Sequence, residues 1–155
     1  MNRILSVFAA VLMLAIGMPA AAQDKKGTAA EATAMVEKAI AHIKKVGRDK
    51  AFADFSSKQA PWVDRDLYVV VYDMKGKVLA HGANEKMIGK DVIELRDNDG
   101  KYFVKERVEM MSKGPEAKGW QDYKFMNPVS KAIEPKSMYL RRYEDLIVGC
   151  GIYKS

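Results

Sequence analysis

Hydrophobic positions recur every three or four residues in the first part of the chain. Residues 32–46 carry apolar side chains at this spacing, which is typical of an amphipathic helix. Thr28 followed by Glu31 forms a capping box at its start, and Gly47 follows its last apolar position. Residues 48–55 predict a shorter second helix.

The pattern then changes to runs rich in β-branched and aromatic residues. Residues 67–72 and 77–81 flank a tight turn at 73–76 and predict a β-hairpin. Turn residues alternate with short apolar pieces in the long stretch that follows, which predicts a crossing segment with helical turns at residues 82–100. A helix at 102–111 and three further strands at 120–126, 136–142 and 146–153 complete the predicted elements.

This order of elements predicts an α+β domain with a five-stranded antiparallel sheet. Strands joined by short turns pair antiparallel, and the long helix must bury its apolar stripe on one face of the sheet. The crossing segment is then left to cover the other face. A cavity between that segment and the sheet is the expected binding site.

The first 22 residues have the features of a signal peptide. Arg3 precedes an apolar stretch of about 10 residues, and Ala20 to Ala22 supply the small side chains that signal peptidase needs. We expect cleavage after Ala22, a short linker at 23–27 and one domain at 28–155. A membrane anchor is the alternative, but it needs roughly 20 apolar residues.

Composition narrows the classes of partner and chemistry. Cleavage would remove one of 26 basic residues and none of the 20 acidic ones, so the mature chain would carry a net charge of +5. Its cations are scattered among carboxylates, which argues against nucleic acid. The single Cys150 cannot form an internal disulfide, and its apolar strand predicts a buried, inert thiol.

Residues for catalysis or metal binding are few. The chain has two histidines, His42 and His81, and no nucleophile elbow, zinc motif or phosphate loop. Asp97 to Gly100 imitates part of a calcium loop, but Leu95 would occupy the first ligand position. We therefore expect no enzyme activity, cofactor or metal.

Aromatic and cationic residues form the remaining candidate site. The strand period of two places Tyr123 and Phe125 on one face, opposite Trp120, Asp122 and Lys124, and gives Tyr68 and Tyr72 a common face. In one interpretation these rings fill the core and Lys136 is solvated. In the other, Lys136 and His81 supply positive charge and, with tyrosine hydroxyls, bind an organic carboxylate.

Several short motifs in this order resemble the single-Cache family of bacterial extracytoplasmic sensor domains. The resemblance covers about residues 28–154 and rests on residues 71–81 (VYDMKGKVLAH), Ile88-Gly89-Lys90, Asp99-Gly100, Gly119-Trp120 with Tyr123, Asn127-Pro128, Pro135-Lys136 with Tyr139, and residues 148–153 (VGCGIY). It implies a PAS-like sheet with the long N-terminal helix behind it. It also implies that small molecules, often short organic acids, bind on the front of the sheet.

The resemblance favours His81, Tyr123, Lys136 and Tyr139 as ligand contacts, and Phe125 stands where relatives often have tryptophan. Most relatives sit between two membrane helices of chemoreceptors or histidine kinases, whereas this sequence has no second such helix. We therefore expect a free-standing periplasmic domain that binds a small organic acid and feeds a separate membrane kinase or chemoreceptor. The alternative is a non-catalytic structural or interaction protein. The N-terminal helix is the candidate surface for a homodimer.

Overall fold

A computed structural model describes residues 26–154, so the predicted signal peptide lies outside the described part of the chain. Within that part there are three α-helices and one turn of 3-10 helix. Their bounds are α1 Ala29–Val46, α2 Arg48–Phe55, the 3-10 helix Glu85–Met87 and α3 Phe103–Met111. The predicted helices are therefore confirmed, each within one residue at its start.

Helix α1 begins and ends where its sequence requires. The Thr28 hydroxyl accepts the backbone N–H of Glu31, and the Glu31 carboxylate accepts the backbone N–H of Thr28 at 2.8 Å. Gly47 ends the helix with a positive φ of 84°. One face of α1 is buried, at Ala32, Met35, Val36, Ala39, Ile40 and Ile43.

Seven strands form two sheets in the described chain. Their bounds are β1 Val63–Asp64, β2 Leu67–Tyr68, β3 Val70–Asp73, β4 Val78–His81, β5 Lys118–Met126, β6 Ile133–Tyr143 and β7 Leu146–Tyr153. Strands β1 and β2 pair only with each other, and the other five form an antiparallel sheet in the order β4-β3-β7-β6-β5. The predicted first strand is thus interrupted at Val69, between β2 and β3.

The sheet separates two apolar cores. Helices α1 and α2 cover the back face and pack on residues such as Val71, Val148 and Cys150. The crossing segment and α3 cover the front face, where Val92 and Phe103 pack against strand side chains. This confirms the predicted α+β fold with a PAS-like sheet.

Two polar anchors fix the edges of this arrangement. The backbone N–H of buried Gly27 donates to the Asp66 carboxylate at 2.7 Å, which ties the chain ahead of α1 to the residue that precedes β2. The Asp97 carboxylate accepts the backbone N–H groups of Lys101 at 2.9 Å and Lys124 at 3.1 Å, which ties the crossing segment to β5. No helix between residues 26 and 154 is long and apolar enough to span a bilayer.

Candidate functional site

The front of the sheet contains an inner cavity and an outer cleft, which share six lining residues. The inner cavity holds about 10 Å³, which is room for about one water molecule. The outer cleft holds about 550 Å³ and opens to solvent. Tyr68, His81 and Phe125 line both spaces, as do Met87, Val92 and Leu95 of the crossing segment.

Lys136 is enclosed by aromatic rings, of which Tyr68 and Phe125 also line the inner cavity, although Lys136 itself lines neither the cavity nor the cleft. Its side chain is 1% exposed, and its Nζ donates to the hydroxyls of Tyr68 at 2.8 Å and Tyr153 at 3.2 Å. The same nitrogen lies 4.0 Å from the ring centre of Tyr68 and 4.5 Å from that of Tyr153. Burial lowers the pKa of Lys136 to about 7, so the amine is poised between its charged and neutral forms at neutral pH.

Glycines on the neighbouring strand make room for this lysine. Residues 147, 149, 151 and 153 of β7 share the front face. A Cβ at Gly151 would lie 2.5 Å from the Cε of Lys136, and one at Gly149 would lie 3.0 Å from the sulfur of Met138. The glycines that flank Cys150 therefore have a packing function, because side chains of β6 cross over them.

Arg107 of α3 is a second buried cation on the same face. The residue is 0% exposed, its Nε donates to Gln121 at 2.8 Å, and its Nη1 donates to the Tyr72 hydroxyl at 2.8 Å. Its guanidinium carbon lies 4.4 Å from the ring centre of Tyr123 and 4.8 Å from that of Phe103. Its buried Nη2 has no hydrogen-bond partner within residues 26–154.

Polar contacts hold this guanidinium in place from α3 and β5. The Gln121 amide, which accepts from Arg107, donates to the carbonyl oxygen of Phe103 at 2.9 Å and to the Glu106 carboxylate. Within the described chain, neither Arg107 nor Lys136 forms a salt bridge with a carboxylate. The site therefore encloses an arginine guanidinium and a lysine amine among aromatic walls, with no carboxylate at salt-bridge distance from either within residues 26–154. Buried Asp66 acts on Lys136 only from a longer distance.

His81 lies at the boundary of the two spaces but does not supply positive charge. Its Nδ1 accepts the backbone N–H groups of Ala83 at 3.2 Å and Asn84 at 3.0 Å, which leaves Nε2 to carry the proton. Burial, with the nearby cations Lys136 and Arg107, lowers the pKa of His81 to about 3. The neutral ring stacks on Tyr68 at 5.1 Å between centres.

Tyr139 is a correction to the predicted set. It lies in the back core, where its ring packs 5.4 Å from that of Trp120, because β6 points residues 136 and 139 to opposite faces. The predicted strand began at Lys136, whereas β6 begins at Ile133 and Lys136 is its fourth residue. Of the other six predicted residues, five belong to the front core or line the inner cavity, namely Tyr68, Tyr72, His81, Tyr123 and Phe125. Lys136 lines neither space but contacts Tyr68 and Phe125.

Sequence reasoning missed Arg107, Gln121 and Tyr153. Arg107 follows Phe103 by four residues and precedes Met111 by four, so helical spacing places it on the buried stripe of α3. Gln121 shares its strand face with Tyr123 by the period of two. The periodicity of the sequence therefore indicated that Arg107 and Gln121 are buried. Both were missed because arginine and glutamine ordinarily lie at the surface.

Cys150 is buried against Met35, with 3.6 Å between the two sulfur atoms. Burial raises the pKa of the Cys150 thiol to about 12, so the group is protonated at neutral pH and is not an activated nucleophile. Among residues 26–154 there is no cluster of three histidine, cysteine or acidic side chains suited to a metal ion.

A family comparison decides the class of this domain. The sequence profile described as "Single Cache domain 2" matches residues 7–155. The chain belongs to the single Cache domain 2 family. Cache domains are extracytoplasmic, non-catalytic modules that sense ligands. The match begins inside the predicted signal peptide, whose cleavage stays a prediction.

Solved structures show the same Cache fold. A methyl-accepting chemotaxis protein from Vibrio parahaemolyticus is 22% identical, with a TM-score of 0.69 over 80% of this chain and 86% of that chain. A periplasmic sensor domain of a chemotaxis protein is 23% identical, with a TM-score of 0.63 over 79% of this chain and 88% of that chain. A Cache chemosensory domain described for carboxylic acid recognition is 17% identical, with a TM-score of 0.68 over 81% of this chain and 92% of that chain. Among curated proteins, none matches the sequence.

Proposed function

We propose that this Cache domain is an exported periplasmic sensor domain that binds a small organic carboxylate in the inner cavity and signals to a separate membrane partner. The observation that carries the proposal is the pair of buried cations, Arg107 and Lys136, without a carboxylate partner in the described chain. A buried charge without a partner is costly, and a ligand carboxylate would offset that cost at both groups.

The donors available to such a ligand suit a carboxylate. The Nη2 of Arg107 has no acceptor among the described residues, and Lys136 uses two of the three donors of an ammonium on tyrosine hydroxyls. Neutral His81 would add an Nε2–H donor at the cavity wall. Charged hydrogen bonds in a dry, aromatic site give both affinity and orientation.

The comparisons support the same proposal. One structural neighbour is described for carboxylic acid recognition, and another is a methyl-accepting chemotaxis protein. By analogy, the partner of this domain would be a membrane kinase or chemoreceptor, and binding would alter the surface presented to it. The outer face of α1 is the proposed site of a homodimer.

One observation favours a second candidate, an interaction protein without a small ligand. The inner cavity of about 10 Å³ accepts about one water molecule, so a carboxylate needs the surrounding side chains to move apart. In this second candidate the aromatic side chains fill the site permanently, and the domain acts through its surface.

A melting-temperature screen of the purified protein with carboxylates and amino acids of two to six carbons tests the proposal. A ligand at about 100 times its dissociation constant adds roughly 2.7 kcal/mol to the free energy of unfolding, so the melting temperature rises. Simple inorganic anions at equal ionic strength serve as the control. If no organic anion raises the melting temperature above that control, the interaction protein becomes the better explanation.

A further inference from the structure

We infer that the ligand is an amphipathic monocarboxylate, whose head group lies at the buried cations and whose apolar tail extends along the outer cleft. The inference rests on the proposed function and narrows its ligand class. It depends on two spaces of unequal size that share six lining residues, since the inner cavity holds about 10 Å³ and the cleft about 550 Å³.

The cleft is largely apolar, and Tyr68 and Phe125 connect it with Lys136, although neither buried cation lines it. Phe125 lies at the junction, with its ring centre 5.9 Å from the Nζ of Lys136. Beyond it the walls are formed by Met87, Val92 and Leu95 of the crossing segment on one side. Met126 and Ile133 of the β5–β6 hairpin line the other side. A carboxylate of two or three carbons would leave these apolar walls in contact with water.

Exposed apolar side chains at the mouth of the cleft support an apolar occupant. Met126 is 53% exposed and Ile133 is 49% exposed, and both line the cleft. Val129 is 51% exposed on the same hairpin but does not line the cleft. A tail that lies along the cleft would cover Met126 and Ile133 and leave Val129 exposed.

The cationic side chains at the rim of the cleft favour entry of the ligand with its carboxylate end first. Lys90, Arg96, Lys124 and Lys131 border the cleft with a single acid, Asp97. Lys124 already pairs with Asp99 at 2.9 Å, and the guanidinium of Arg96 lies 4.1 Å from the ring centre of Tyr102. These solvated cations attract an anion to the cleft, whereas the inner cations hold it, because only there is the carboxylate shielded from water.

The test is a calorimetric series of straight-chain acids from propionate to octanoate on the purified protein at pH 6.5. Burial of each methylene raises affinity by about two- to fourfold, so hexanoate is expected to bind at least about tenfold more tightly than propionate. 1-Hexanol, which has the tail without the charge, is expected to bind far more weakly than hexanoate. Lys136→Met should weaken propionate and hexanoate by the same factor, because the two acids share the head-group contact.

Matched variants locate the tail. Ile133→Ser should lower the affinity for hexanoate several-fold and leave propionate unchanged, whereas Val129→Ser should change neither. Circular dichroism and melting curves confirm that both exposed variants fold. Equal effects of the two serine variants would overturn the placement of the tail in the cleft.

The remaining outcomes separate this inference from the function on which it rests. Propionate binding as tightly as hexanoate would overturn the amphipathic ligand and leave the small-carboxylate sensor intact. Hexanol binding as tightly as hexanoate would overturn the link between the cleft and the buried cations. No binding by any acid in the series or in the wider screen would overturn both proposals.

Discussion

A lysine ammonium and an arginine guanidinium lose hydration when aromatic rings enclose them, and each ordinarily recovers that loss from a carboxylate. In this domain, tyrosine hydroxyls and a glutamine amide are the partners of Lys136 and Arg107 instead. Neutral oxygens compensate a buried charge less well than an anion does. The free domain therefore holds two groups in an unfavourable state that an anionic ligand would relieve.

Replacement of Lys136 is expected to change binding and stability in opposite directions. Lys136→Met keeps most of the aliphatic chain and removes the charge, so carboxylate affinity should fall by about 1.5 to 3 kcal/mol. The ligand-free protein should gain about 1 to 4 kcal/mol in its free energy of unfolding at pH 6, because a buried cation is removed. Calorimetry and urea unfolding measure the two effects.

Tyr139→Phe is the control for that prediction, because Tyr139 lies in the back core, on the face of the sheet away from the cavities. Its carboxylate affinity should equal that of the wild type. Unchanged affinity in Lys136→Met, or a loss of affinity in Tyr139→Phe equal to that in Lys136→Met, would show that the head group lies elsewhere.

At the scale of elements, β6 and β7 form the site together. The Lys136 side chain crosses the front of β7 where Gly151 has no side chain, and Tyr153 of β7 accepts its hydrogen bond. Either strand alone would leave the amine without a fixed position. The pattern of small and large residues across the two strands therefore determines where the positive charge lies.

Gly151→Ala is expected to displace Lys136 without destroying the sheet. The new Cβ would lie 2.5 Å from Cε, which is part of a flexible side chain and can move, although the carbonyl oxygen of Ser137 at 3.0 Å adds strain. We expect a loss of about 1 to 3 kcal/mol in stability and about tenfold in carboxylate affinity. Urea unfolding and calorimetry provide both values.

Two further proteins complete this experiment. Gly114→Ala has no atom within 4 Å of the new Cβ and should change affinity little. In a Lys136→Met background, Gly151→Ala should cause no further loss of affinity, because the group that it displaces is already absent. Additive losses in the double variant would show that Gly151 acts on the ligand by another route.

The sequence predicted the elements well because each has a local signal. The capping box of α1, the periodicity of its buried face and the turns of the meander act over a few residues. The position of Arg107 depends instead on the contact of α3 with β5, a long-range relation that no local pattern contains. Tyr139 was misplaced because the family resemblance outweighed the strand period, which by itself put Lys136 and Tyr139 on opposite faces.

At the scale of the whole molecule, the two faces of the sheet have different compositions. The back core, with α1 packed across β6 and β7, is apolar, and its burial contributes to the stability of the domain together with the apolar part of the front core. The front core contains the buried cations, His81 and the cavities. The buried titratable groups of the front face are thus separated from the apolar back core by the thickness of one sheet.

This separation predicts how the stability of the free domain depends on pH. Lys136 has a pKa of about 7 in the folded protein against an ordinary 10.5, so between these values the unfolded chain binds a proton that the folded protein does not. The free energy of unfolding should therefore rise with pH above 7, by up to about 1.4 kcal/mol per pH unit. The groups around this amine are Tyr68 of β2, Tyr153 and Cys150 of β7, Arg107 of α3 and Asp66, which precedes β2.

Between pH 7 and 8.5 the titration of Lys136 can be observed without interference from His81 or Cys150. His81, with a pKa lowered to about 3, affects stability only below its ordinary value of 6.5, and Cys150, with a pKa raised to about 12, only above 9. Urea unfolding in this window should show a positive slope for the wild type and none for Lys136→Met. A saturating carboxylate should abolish the wild-type slope, because the bound anion raises the pKa of Lys136 and keeps it protonated. The stabilisation by ligand should consequently be larger at pH 7 than at pH 8.5, and parallel profiles for the wild type and Lys136→Met would contradict the assignment of this titration to Lys136.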